Sequence, residues 1–136
     1  PQDTSSAASD VYKRQIDWMI PAPAQGAILV TAREDDSKLL EKIKPLSHQS
    51  SDYCVKIERT FLRALQGGCS APIGAHASLQ NQHISFHGCV TETDGSQHIE
   101  IRESFDLQTS DIGKRAAEII RKAGGDQVLR KLKSHE

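Results

Sequence analysis

Residues 83–105 read HISFHGCVTETDGSQHIEIRESF, and this stretch decides the fold. Ile84, Phe86, Gly88 and Val90 alternate with His83, Ser85, His87 and Cys89. A period of two puts the sets on opposite faces of a strand over 83–91. Asp94-Gly95 follows, a pair that tolerates the positive φ of a tight hairpin turn. Alternation resumes over 97–105, with Ile99 and Ile101 facing inward. Residues 74–80 make a further expected strand, joined to 83–91 by a tight turn at Asn81-Gln82.

An antiparallel sheet with one apolar face needs a cover, and the flanking sequence has helical spacing. In residues 51–66, Tyr53, Ile57, Phe61 and Leu65 recur every four positions, with Cys54 and Leu62 beside them. Ser51 or Asp52 is the expected N-cap, and Gly67-Gly68 the stop. Beyond the sheet, Ser110 or Asp111 opens a helix running to about Ala123, with Ile112, Ala116, Ile119 and Ile120 on one side. Gly124-Gly125 breaks it, and Asp126 starts a last short helix carrying Val128, Leu129 and Leu132. The expected fold class is α+β: a small three-stranded antiparallel sheet with helices on one face.

Upstream the pattern differs. Residues 16–26, IDWMIPAPAQG, carry Pro21 and Pro23, which favour an extended or turning backbone, and Gly26, which permits positive φ. Residues 27–32, AILVTA, read as a strand covered on both faces, as in a parallel sheet. Asp35 and Asp36 lead into SKLLEKIKPL, a short helix stopped by Pro45. Residues 16–48 are therefore expected to form a strand-helix unit separate from 49–136. Residues 5–15, SSAASDVYKRQ, have neither periodicity. Back-translated, they resemble a transposon-type sequencing adapter read in frame, so residues 1–15 are expected not to be native and are set aside from fold reasoning.

The 136 residues are 37% hydrophobic and 26% charged, with net charge −1, a composition that supports a core and lacks the basic excess of a nucleic-acid or anionic-membrane binder. The apolar run at 26–30 is too short to span a bilayer, and no secretory signal pattern is present. Three cysteines, Cys54, Cys69 and Cys89, are an odd number without close pairing, which fits a reducing cytoplasm better than a disulfide framework.

Several segments, in order, resemble hydroxymethylbilane synthase, also called porphobilinogen deaminase. They are MIPAPAQGA at 19–27, ERTFLRAL at 58–65 and QGGCSAPIG at 66–74, with Asp94-Gly95 and Ala-Gly-Gly at 123–125 falling where that family has a hairpin turn and a helix end. Gln66 departs from the usual glutamate, and Thr31 stands where many relatives have a glutamate; neither removes the cysteine. The resemblance implies an enzyme that joins four porphobilinogen molecules head to tail with release of ammonia. It implies that residues 16–48 are a strand-helix remnant of upstream α/β domains and a hinge, with 49–136 the C-terminal cofactor-attachment domain. It implies a dipyrromethane cofactor in thioether linkage to Cys69, with Gly68, Gln25 and Gly26 beside it. A thiolate suits a soft carbon electrophile, and a thioether does not hydrolyse as an ester does. Porphobilinogen and the growing pyrrole chain are the implied partners, and the protein is expected to be a cytoplasmic monomer that binds neither nucleic acid nor membrane.

On composition alone Cys69 is a small packed residue, as most free cysteines are; the surrounding motif reverses that preference. Gln25 and Gly26 read equally well as a plain turn. Arg59 and Arg63 lie one turn apart and read as a solvated helix face rather than an anion clamp. His83, His87 and Cys89 share a strand face but spread too far along it for one tetrahedral ion, so no metal site is assigned. No catalytic residue is assigned either, because Asp35 and Asp36 are better explained as caps, and the chain alone is expected to be inactive. The competing readings are a small α+β binding or scaffold module without covalent cofactor and, behind it, a thiol enzyme pairing Cys69 with His76.

Overall fold

The computed structural model describes residues 18–65 and 72–133, without the side chains of 132 and 133. Along the chain lie α1 (Ser37–Ile43), a 3-10 turn (Lys44–Leu46), α2 (Gln49–Ala64), β1 (Ile73–Gln80), β2 (His83–Thr91), β3 (His98–Asp106), α3 (Ile112–Ile120), a wide turn (Arg121–Gly125) and α4 (Asp126–Lys133). The sheet is antiparallel in the order β1-β2-β3, with Phe86 opposite both Ala77 and Glu103 and Val90 opposite both Ile73 and Ile99. This is the α+β architecture expected from the alternation. Asn81 at φ 54° and Gly95 at φ 74° make the two hairpin turns. Gly95 N–H donates to Glu92 at 2.9 Å, and Asp94 receives the Ser96 N–H at 2.9 Å.

The core lies between the sheet and α2, α3 and α4. Ile84, Phe86 and Val90 are fully buried, as are Phe61 of α2 and Leu65 just after it, Ala116 and Ile120 of α3, and Val128 of α4. Phe61 and Phe86 meet edge to face with centroids 5.0 Å apart. Gly88 makes this pair possible, because a Cβ there would stand 2.8 Å from Phe86 Cε1 and 3.0 Å from Phe61 Cζ. Gly113 does the same for the helix crossing: its missing Cβ would lie 2.5 Å from the Ile57 carbonyl oxygen.

Four expectations need correcting. Residues 27–32 form no strand, and Ile28 is 93% exposed. A strand needs a partner ladder for its amides, and no described residue supplies one here. Helix α2 begins at Gln49 rather than Ser51, because the 3-10 turn at Pro45 delivers the chain earlier; neither Ser51 nor Asp52 caps it. His48 is the N-cap and its ring contacts Ser51 Oγ at 2.9 Å, while Asp52 pairs with Lys56 at 2.6 Å. Tyr53, expected on the buried stripe, is 37% exposed at its edge. The third helix stops at Ile120, and Gly124 at φ 111° re-aims the chain into α4. Asp111 is the N-cap position as expected, but its side chain makes no capping bond, and its carbonyl receives the Lys114 and Arg115 amides. Asp36, by contrast, caps α1 as expected, accepting from Leu39 N at 3.1 Å.

Candidate functional site

The loop between α2 and β1 carries Gly68 and Cys69, and both lie outside the described residues. Its two roots are described and firmly set. On the α2 side Leu65 is buried at 1% exposure, and the Arg121 guanidinium donates to the Ala64 carbonyl at 2.6 Å. A cation there suits the negative end of a helix. On the β1 side the Pro72 carbonyl accepts from Thr91 N–H at 3.0 Å, prolonging the β1–β2 ladder.

The other two thiols are packing groups. Cys54 and Cys89 are each 8% exposed, and burial pushes both above the ordinary thiol range; Glu58 adds to this at Cys54. Protonated, buried thiols are poor nucleophiles. Cys89 lies against the backbone of Gly74, where a Cβ would come within 2.8 Å of its sulfur.

The PAPAQG segment forms a closed turn. Gln25 N–H donates to Ala22 O at 2.9 Å, and Gln25 Oε1 accepts from Ala22 N–H at 3.0 Å. The Gln25 carboxamide oxygen is thus turned back on its own loop. Gly26 sits at φ 84° with nothing within 4 Å of the position a Cβ would take. The turn docks on the domain: Ala75 N–H donates to Pro21 O at 2.9 Å, and Ala24 N–H to Glu58 Oε2 at 2.7 Å.

Glu58 is the candidate residue that sequence reasoning missed. It is 6% exposed, and its second oxygen accepts from Ala77 N–H at 2.7 Å. The signal was its register: Cys54, Glu58, Phe61 and Leu65 share the apolar face of α2, so a carboxylate in that row had to find buried donors. Arg59 and Arg63 are exposed, and Arg63 Nε donates to the Arg59 carbonyl at 3.3 Å.

On the open sheet face, Glu100 accepts from His87 at 2.8 Å, Arg102 at 3.0 Å and His98 at 3.3 Å. Its carboxyl is held down at about 2, by His87 first, then Arg102 and His98. His87 is therefore committed to Glu100 rather than converging with His83 and Cys89. Among the described residues no group of three or more His, Cys, Asp and Glu is placed to hold a metal ion, and no helix is long and apolar enough to cross a membrane.

Comparison with known proteins agrees with the fold. The family model described as porphobilinogen deaminase, C-terminal domain, matches residues 53–122, which run from α2 into the wide turn after α3. The porphobilinogen deaminase of Listeria monocytogenes serovar 1/2a is 34% identical over 115 residues, covering 85% of this chain and 37% of the relative. That of Pelotomaculum thermopropionicum is 36% identical over 121 residues, covering 88% and 39%. That of Chlorobium limicola is 37% identical over 134 residues, covering 95% and 42%. The chain spans about two fifths of the length of these relatives. It belongs to the porphobilinogen deaminase family, and residues 53–122 are that family's C-terminal domain.

Proposed function

We propose that this chain is the cofactor-anchoring part of a hydroxymethylbilane synthase, the transferase that condenses four porphobilinogen molecules into a linear tetrapyrrole and releases ammonia at each step. Cys69 is the proposed anchor of a dipyrromethane cofactor, with Gly68, Gln25 and Gly26 beside it. The observation that carries the reading is the family's C-terminal domain on a chain whose other two thiols are buried and raised, which leaves Cys69 as the remaining cysteine. The residues fit such a group: the loop roots at Ala64 and Pro72 are hydrogen-bonded, and the positive-φ turn at Gly26 leaves space where a side chain would otherwise stand. Anchoring would form one carbon–sulfur bond from Cys69 Sγ to the pyrrole methylene as the carbon–nitrogen bond breaks, the thiol proton leaving with the amine as ammonia. Bound there, the cofactor would supply a permanent primer, so that product can leave while the starting unit stays.

We assign no catalytic acid to this chain. Proton transfer at a pyrrole nitrogen needs a placed carboxylate, and Asp35 and Asp36 are spent on Arg33 and on the α1 cap. The chain alone is therefore proposed to be inactive, cytoplasmic and monomeric. Residues 16–48 are proposed to complete their packing against an upstream α/β part. The test is a hybrid in which residues 16–136 replace the matched part of the Listeria relative. The expected result is porphobilinogen turnover, an intact mass raised by one dipyrromethane, and a colour with Ehrlich's reagent. Both marks should vanish in Cys69→Ser. An active hybrid with an unmodified Cys69 would overturn the reading and favour a module without covalent cofactor.

A further inference from the structure

The outer edge of β1 is covered, and the way it is covered assigns a role to Glu58. An edge strand exposes a row of unpaired amides. Along β1 two of these amides have partners outside the sheet: Ala75 donates to Pro21 O at 2.9 Å, and Ala77 donates to Glu58 Oε1 at 2.7 Å. The helix α2 therefore supplies one of these two edge bonds through Glu58, and the upstream turn supplies the other through Pro21. The remaining Glu58 oxygen reaches out to Ala24 N–H at 2.7 Å.

Glu58 is thus a single side chain joining three stretches. It stands on α2, whose end launches the Cys69 loop. It holds β1, which receives that loop. It also grips the turn that presents Gln25 and Gly26. Ala24 is at φ 66°, a left-handed conformation that a residue with a Cβ adopts only when its surroundings impose it. The buried carboxylate holds the Ala24 N–H at 2.7 Å with one oxygen and the Ala77 N–H at 2.7 Å with the other, while the Ala24 carbonyl accepts from Ala27 N–H within the turn. His76, on β1, brings its ring nitrogen to 3.9 Å from the same carboxylate, and the Cys54 thiol one turn earlier on α2 also feels its charge.

The geometry points to Glu58 as a positioning residue that sets where the Gln25–Gly26 turn stands relative to the roots of the Cys69 loop. This rests on the reading of Cys69 given above, but the clip can be measured without it. In the 136-residue chain, hydrogen exchange at the Ala24 and Ala77 amides reports the two bonds. Glu58→Ala removes both, and exchange at Ala24 should rise about ten- to a hundredfold. Glu58→Gln keeps the shape but has only one acceptor oxygen, so one of the two amides should rise and the other hold. The core amides of Phe86 and Val90 separate local release from unfolding and should stay protected in Glu58→Gln. In the Listeria hybrid, Glu58→Gln should lower kcat about tenfold or more with KM little changed, because misplacement near a reacting centre on the order of 1 Å can cost about a hundredfold. The Cys69 adduct mass should be retained.

Unchanged exchange at both Ala24 and Ala77 in Glu58→Gln, or a rise that appears only together with Phe86 and Val90, would overturn the assignment. So would an adducted hybrid whose turnover is indifferent to Glu58→Gln. A hybrid with Glu58 intact and no adduct would sink the cofactor reading instead, and the exchange result would still decide the clip.

Discussion

Gly113→Ala sets two physical effects against each other. Gly113 is the second residue of α3, and alanine is the better helix former by at most about 1 kcal/mol, less in a first turn. Against this stands the crossing with α2. The added Cβ would lie 2.5 Å from Ile57 O, 2.8 Å from Phe61 N and 2.8 Å from Thr60 Cβ. Two of these atoms are backbone, so no rotamer change relieves them, and the helices must part. Parting them loosens Ile57, Phe61, Ile112 and Ala116, all buried in the core. Overpacking of this kind costs about 1–3 kcal/mol, so a net loss of about 2 kcal/mol is expected. With a denaturant slope of about 1–2 kcal/mol per molar for a domain this small, the urea midpoint should fall by about 1–2 M. Equilibrium unfolding followed by far-UV circular dichroism reads it. An unchanged or raised midpoint would mean that helix propensity, and not the α2–α3 approach, explains the glycine.

Three further outcomes are expected. Phe61→Ala, which empties a fully buried site against Phe86 and Gly88, should cost about 3–5 kcal/mol and leave the domain largely unfolded by thermal melting. Glu100 has its folded carboxyl pulled down to about 2, so its contribution is complete above the unfolded value near 4.5 and is lost as pH falls toward 2; Glu100→Gln should flatten the acid limb of stability in that window, and an unchanged limb would deny the His87, Arg102 and His98 contacts any role. In the 136-residue chain prepared without cofactor, timed alkylation at pH 8 should label Cys69 first, with Cys54 and Cys89 reacting only on unfolding, whereas three equal rates would contradict the burial that holds those two thiols protonated.

How much of this was legible in the sequence depends on which partners each element needs. The β2 alternation carries its own answer, because burying Ile84, Phe86 and Val90 fixes register and face at once. Asp94-Gly95 and Gly124 were legible for a similar reason: a positive φ narrows the choice of residue. Residues 27–32 were not, because an apolar run states only that it prefers cover and leaves open who provides it. The α2 start failed by two residues because Pro45 reset the chain locally, a tight-turn effect that stripe counting ignores. Gln25 and Gly26 were singled out through the motif, but the motif did not tell that Gln25 would fold its oxygen onto Ala22.

Glu58 shows why a site can be hidden in plain sequence. A period-matched glutamate in an apolar stripe looks like an interruption, and its meaning depends on donors 19 and 34 positions away. Those donors exist only because β1 lies at a sheet edge and because the turn at 21–26 closes against it. The same fact bears on where the folded unit begins. Pro21 and Ala24 bond into β1 and α2, while Ile28, Leu29 and Val30 stand exposed. The anchored part of the upstream segment therefore ends near Gly26, well short of residue 48. Among the described residues, none covers the exposed stretch after it. If the domain is held this way, releasing Ala24 frees Gln25 and Gly26 without disturbing Phe86, and the turn is a separately adjustable piece of the site rather than a consequence of the core.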